Sequence, residues 1–290
     1  MSVRFFAPAK INLSLRVGAP LPNGRHPLDS LVAFTLRVGD HIILQASDDL
    51  KLASEGPFGA DVGADADNLV MRAAQGLQAL GTRRLGANIT LVKNLPLASG
   101  IGGGSADAAA TLIGLNEIWN LGLSVAHLQA LGGKLGADVP ACILGTPLRM
   151  TGTGEDTAAV SGMAEMGIVL VNPLISCPTS PVYHSFDQMG AGRALSVMTL
   201  PDVSTQDALL EFLRATPNDL EPAAIALVPE IAPMLNAIAS SPNVLLARMS
   251  GSGATCFGLY ASLADAHIGA LAIKQALAFA PIWVEADMIN

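Results

Sequence analysis

Four glycines fall within five residues, at Gly100, Gly102, Gly103 and Gly104, and helix-forming residues follow at once from Ser105 to Leu112. This junction constrains the chain more than any other segment. Irregular backbone that only glycine tolerates must pass directly into a helix. A run of this kind lets backbone N–H groups converge on a ligand, and the helix end behind it adds unpaired donors and the positive end of the dipole. Both favour an anion such as phosphate. The run fits neither common nucleotide-loop template. No Lys-Ser/Thr pair follows the last glycine, and Ser105 stands where G-x-G-x-x-G needs its third glycine. Taken alone, it serves equally well as a phosphate cradle or as a mobile turn.

Composition narrows the partners. Hydrophobic residues make up 51% of the 290 and charged residues 14%, so the chain has a substantial core and is not disordered. The length fits about two domains. A net charge of −8 argues against nucleic acid or a membrane surface as partner. An anionic ligand would have to be held by local devices, through backbone donors and a few placed cations. Cys142, Cys177 and Cys256 show no disulfide or zinc spacing. Pro8, Lys10 and Asn12 interrupt any signal-peptide core, and the apolar runs are strand-sized. These features together predict a cytoplasmic protein.

Periodicity predicts an α+β chain. Ile11, Leu13, Leu15 and Val17 alternate with Lys10, Asn12, Ser14 and Arg16 along a predicted strand over 10–17, so Lys10 and Asn12 share its polar face. Further strands are expected at 31–36 and 41–45, separated at Val38-Gly39-Asp40, and at 88–92, 167–171, 244–249, 255–260 and 285–288. Helices are expected at 69–80, from Ser105 to about Trp119, at 124–135, from Asp138, near 205–214, in a proline-punctuated region over 219–239, and at 262–279. Ser262 with Asp265 makes a capping-box-like start for the last of these. Pro178, Pro181, Gly190 and Gly192 mark a loop-rich crossing. The expected domains are 1–160 and 161–290.

Three motifs stand in a fixed order: Pro8-Ala-Lys10-Ile-Asn12-Leu13, the 95–112 run, and Met249-Ser-Gly-Ser-Gly-Ala-Thr255. Together they resemble the signature set of the GHMP small-molecule kinases, named for galactose, homoserine, mevalonate and phosphomevalonate. Asp67-Asn68-Leu69, Leu135-Gly-Ala-Asp138-Val-Pro140, Asn218-Asp219 and the Gly24-x-His26 turn narrow the likeness. They are similar to the branch that phosphorylates the 2-hydroxyl of a cytidine-diphosphate-linked methylerythritol, in the non-mevalonate (MEP) route to isoprenoid precursors. The likeness covers nearly the whole chain and is weakest at 45–65 and 185–215.

The resemblance implies an α+β, two-lobed fold, with an N-terminal ATP-binding lobe like domain 2 of ribosomal protein S5 and a C-terminal ferredoxin-like lobe. It implies a kinase using ATP and Mg²⁺, with a cytidine-diphosphate-linked alcohol as acceptor, working as a monomer or homodimer. The phosphates would be wrapped by Pro96, Leu97, Ala98, Ser99, Gly100, Ile101, Gly102, Gly103, Gly104, Ser105 and Ala106. Ser105 reads first as the N-cap of the following helix, with a contact to phosphate or Mg²⁺ in addition as the alternative; the metal ligands are otherwise unassigned. Asp107 reads as a surface residue complementing the helix dipole.

The catalytic pair carried over is Lys10 and Asp138. Residue chemistry alone allows a solvated lysine and an aspartate capping the helix that starts at Val139-Pro140. The substrate side would comprise Asn12, Arg25, His26, Tyr183, Gly251 and Ser252. His26 would meet the cytosine edge, and Tyr183, following a proline-rich turn, would supply an aromatic platform. Arg25 departs from the family pattern, which has an aromatic at that position; a guanidinium plane can stack on a base or meet a diphosphate. Asn218-Asp219 is expected to cap the helix beginning near Glu221. Two other readings stay open from the residues: a homoserine- or mevalonate-type kinase, and a catalytically silent regulator on the same fold.

Overall fold

The computed structural model describes residues 2–63, 68–80, 85–190, 192–196 and 198–290. Asp67 of the motif above lies outside them. The chain forms two compact units that interleave along the sequence. One comprises residues 1–10, 39–97 and 102–145; the other comprises 11–38, 98–101 and 146–290. Strands β1 (Ser2–Asn12) and β3 (Leu28–Ser47) contribute residues to both, and so does the glycine run. Among the described residues no helix is long and apolar enough to cross a membrane.

In the first unit the distal half of β3 pairs antiparallel with β5 (Gly86–Val92), from His41 opposite Val92 to Ser47 opposite Gly86. Strand β4 (Leu50–Glu55), in the stretch where the family likeness is weakest, pairs parallel with β5. Among the described residues this unit carries the α-helices α1 (Leu69–Gln78), α2 (Gly103–Ile118), α3 (Val125–Gly133) and α4 (Val139–Leu144). Asn68 caps α1 by accepting from Val70 N, and Ser124 caps α3. Helix α2 is its core. Ala106, Ala108, Ala109, Leu112 and Leu115 are buried along it, as are Ile42 and Leu44 of β3 and Ile89 and Leu91 of β5.

The second unit holds the antiparallel order β3–β11–β8–β10–β9, with β8 at Met166–Asn172, β9 at Leu246–Met249, β10 at Cys256–Tyr260 and β11 at Trp283–Ile289. The hairpin β6 (Leu148–Thr151) and β7 (Asp156–Ala159) extends it from β3. Its helices are α5 (Thr179–Gln188), α6 (Gln206–Ala215), α7 (Glu221–Leu227), α8 (Ile231–Ala239) and α9 (Leu263–Ala276). Ser262 starts α9 as expected, accepting from Asp265 N.

Several expectations are corrected. The strand over 10–17 is not continuous. Leu13 N and Ser14 N both approach the Leu31 carbonyl, a bulge that interrupts the ladder before β2 (Arg16–Val17). The two strands expected on either side of Val38-Gly39-Asp40 are one strand. Gly39 marks a close approach, since a Cβ there would run into the Phe6 ring and the Ala7 carbonyl. The proline-rich segment before Tyr183 is no turn into a loop; Pro178 leads into α5, which carries Tyr183. The N-cap of α7 is Leu220, not Asn218 or Asp219; Asn218 acts one step earlier, its Oδ1 accepting from Leu220 N at 2.9 Å, while the Asp219 carboxylate turns to Val17 N.

Candidate active site

In the first unit the site is built around the start of α2. Gly102 is the N-cap, in left-handed backbone with φ of 64°, and no side chain caps this end. Ser105 is therefore the third residue of the helix and half-buried, which corrects its reading as the cap. The first intrahelical bond runs from Ala106 N to the Gly102 carbonyl, so the N–H groups of Gly103, Gly104 and Ser105 precede the ladder. An uncapped helix end of this kind suits an anion.

Two lysines crowd this start. A Cβ on Gly102 would lie 3.0 Å from Cβ of Lys10, and one on Gly103 would lie 3.0 Å from Nζ of Lys93. Both are buried. Lys10 Nζ is 2.7 Å from Oδ1 of Asp138. Asp138 begins α4, yet its side chain makes no capping bond there; the carboxylate turns to Lys10 instead. It stays 37% exposed while Lys10 is 4% exposed, so the pair has one open side, on the carboxylate.

Lys93 was not singled out by the sequence. Its ammonium sits 2.5 Å from Asp40 and 2.7 Å from Asp107, all three buried. Asp107 is thus no surface residue. Burial pushes its carboxyl up to about 7; Lys93 pulls the other way and Asp40 adds to the rise. Burial also opposes the charge on Lys93, but the two carboxylates outweigh it and hold the ammonium above its usual range.

The second unit gathers Asn12, the first part of the glycine run and the 250–253 loop. Ser250 joins them: its hydroxyl accepts from Asn12 N at 3.1 Å and donates to the Gly100 carbonyl at 3.2 Å. Thr255 N donates to the Ser99 carbonyl. The Asn12 amide donates to the Ser30 hydroxyl, which donates to the Ser14 carbonyl. Asn218, expected as a cap, clasps the loop: its amide donates to the carbonyls of Met249 and Gly251, each at 2.8 Å. Asp219 accepts from Val17 N. Ser252 is held through Thr179 Oγ1 at 3.1 Å.

His26 and Tyr183 do meet. Their ring centroids are 4.9 Å apart at 44°, with Phe186 at 6.1 Å from the imidazole. His26 Nδ1 is 2.9 Å from the Gly18 carbonyl, an acceptor only, so Nδ1 is the donor in that bond; Nε2 faces Asp187 at 3.4 Å. Arg25 is exposed, and its guanidinium donates to Thr153 Oγ1 at 3.3 Å. Among the described residues no group of three or more His, Cys, Asp or Glu is placed to hold a metal ion.

Comparison with known proteins bears on this arrangement. The model of the GHMP kinase N-terminal domain matches residues 68–146, and that of the GHMP kinase C-terminal domain matches 201–278. A 4-diphosphocytidyl-2-C-methyl-D-erythritol kinase of Hyphomonas neptunium is 43% identical, covering 100% of this chain and 97% of its own. One from Cereibacter sphaeroides is 48% identical over 93% and 94% of the two chains. A crystal structure of 4-(cytidine 5'-diphospho)-2C-methyl-D-erythritol kinase superposes with a TM-score of 0.79 at 29% identity, covering 99% of each chain.

Proposed function

The chain belongs to the GHMP kinases and, within them, to the 4-diphosphocytidyl-2-C-methyl-D-erythritol kinases, and from that premise we propose how its residues phosphorylate the 2-hydroxyl of 4-diphosphocytidyl-2-C-methyl-D-erythritol with ATP. The observation that carries the mechanism is the Lys10–Asp138 pair in the same unit as an uncapped, glycine-built helix start. The run from Pro96 to Ala106 wraps the triphosphate, with the N–H groups of Gly103, Gly104 and Ser105 as the helix-end donors, which answers the problem of binding a polyanion to a chain of net charge −8. Asp138 accepts the proton of the substrate hydroxyl as its oxygen bonds to the γ-phosphorus and the bond to the β-phosphate oxygen breaks. Lys10 orients the Asp138 carboxylate and offsets charge on the phosphoryl group in transit. In a loose transition state, positioning and charge neutralisation outweigh proton abstraction.

Mg²⁺ would arrive with the nucleotide. It typically needs only one or two protein oxygens beside phosphate and water. Ser105, freed from capping, is the hydroxyl for that role. When bound, the ion neutralises phosphate charge. On the substrate side, Tyr183 and His26 form the platform for the cytosine, and Asn12 with Gly251 and Ser252 flanks the sugar alcohol. The matched segments support a division into an ATP-binding domain over 1–160 and a C-terminal domain over 161–290. The enzyme would work in the cytoplasm, on a step of isoprenoid precursor synthesis.

The test is incubation with Mg-ATP and each of three alcohols: the cytidylated methylerythritol, homoserine and mevalonate. ADP release and phosphorus NMR of the product are the readouts. Phosphorylation of the cytidylated alcohol alone is expected. Turnover of homoserine or mevalonate in its place would overturn the reading.

A further inference from the structure

The buried cluster of Asp40, Lys93 and Asp107 lies outside the catalytic pair, and its bonds all lead to the two ends of the glycine run. Asp40 Oδ1 accepts from Asn94 N at 2.6 Å and from Leu95 N at 2.9 Å, the residues just before Pro96. The Asn94 amide donates back to the Gly39 carbonyl. Asp40 Oδ2 takes Lys93, and Lys93 takes Asp107 Oδ2, on the fifth residue of α2. One ammonium thereby links the entry of the run to its exit. Gly103 is packed so closely on that ammonium that a methyl group would meet it at 3.0 Å.

Stability alone does not account for this cluster. Two carboxylates share one lysine in a buried setting, and Asp107 Oδ1 is buried without a hydrogen-bond partner among the described residues. Buried ion clusters are often matched or exceeded in stability by apolar side chains of similar volume. What apolar packing cannot supply is direction. Fixed donors and acceptors hold Leu95 and the first turns of α2 in one register, and a binding loop needs its frame held to a fraction of an ångström.

We propose that Lys93 is a positioning residue for the phosphate cradle, joining Asp40 and Asp107 so that both ends of the glycine run are fixed on one buried charge cluster. The inference rests on the reading of that run as the ATP site. It assigns Lys93 no contact with substrate.

The test is calorimetric titration of Mg-ATP into the full chain and into Lys93→Met, Asp107→Leu and Asp107→Asn, with KM for ATP and for the alcohol measured alongside. Lys93→Met and Asp107→Leu should weaken ATP binding about tenfold or more, because small misplacements of a binding frame are costly, and leave KM for the alcohol near wild type. Asp107→Asn keeps an oxygen for the lysine and should restore most of the affinity. Unchanged ATP affinity in folded Lys93→Met and Asp107→Leu, or equal losses for both substrates, would overturn the proposal. If neither variant folds, hydrogen exchange on the wild type decides: the amides of Asn94 and Leu95 should open only with the global transition, and independent local opening counts against the clamp. A wild type that binds no ATP would instead sink the reading of the site itself.

Discussion

The ammonium of Lys10 lies 2.7 Å from Oδ1 of Asp138, and that carboxylate makes no bond to the helix it begins. Aspartate before Val-Pro is a good helix cap, and capping is typically worth about 1 kcal/mol. Here that bond is not made, and the carboxylate is directed to a buried cation. A carboxylate placed this way is oriented and partly open.

Asp138→Asn should lower kcat by about 10²–10⁴-fold, the usual contribution of a general base, with KM for both substrates near wild type. No capping bond is lost, but buried Lys10 loses its counter-charge, so a lowered melting temperature should accompany the change. Steady-state kinetics and a thermal melt check both halves. Unchanged kcat would remove Asp138 from the reaction.

Tyr183→Ala should raise KM for the cytidylated alcohol by about tenfold, the scale of a lost aromatic stack, and leave KM for ATP unmoved. The ring lies 4.9 Å from His26, so some loss of order at the imidazole should accompany it. Equal effects on both substrates would argue against a cytosine platform.

Asn218→Ala strips the donor from two carbonyls of the 249–251 segment, in a buried setting. Leaving such groups unpaired costs about 1–3 kcal/mol, and urea denaturation should show a loss of that size. Asn218→Asp keeps the shape but offers no donor, and should fare no better. A variant as stable as wild type would show the clasp to be dispensable.

The three thiols should be unreactive in the folded protein. Cys142, Cys177 and Cys256 are buried, and burial raises the pKa of each, helped at Cys142 by the neighbouring Asp138 charge. The thiolate is the nucleophile, so a disulfide reagent such as DTNB should titrate the native chain slowly and release three equivalents after denaturation in guanidinium. A thiol that reacts within seconds in the native state would contradict this burial.

Local chemistry was legible where it depends on neighbours in sequence. Asn68, Ser124 and Ser262 cap the helices they precede, and the glycine run does open a helix. Ser105 misled because a serine before helix formers reads as a cap; Gly102, in left-handed backbone, takes that position three residues earlier. Gly39 misled for a related reason: it is needed for close packing on Phe6 and Ala7, not for a turn. The charge cluster was invisible. Lys93 is 53 residues from Asp40 and 14 from Asp107, and nothing local distinguishes the three from solvated side chains. Asn218 was hidden likewise, since its partners at 249 and 251 lie some thirty residues on. Lys10 and Asp138 were found through the motifs around them, and their contact emerges only from the fold.

Thr35 of β3 pairs with Ile289, and Asp287 accepts from the N–H groups of Arg37 and Val38, 250 and 249 residues away. This pairing sets an order in time. A ribosome releases residues 28–38 early, and the strand that flanks them is made some 250 residues later. Through most of its synthesis that strand edge is open, and an open edge is a template for other chains. Loop closure over such a span is slow as well. Protection of the nascent chain by a chaperone, or a modest rate of translation, would therefore matter more to the yield of this protein than the intrinsic strength of its helices.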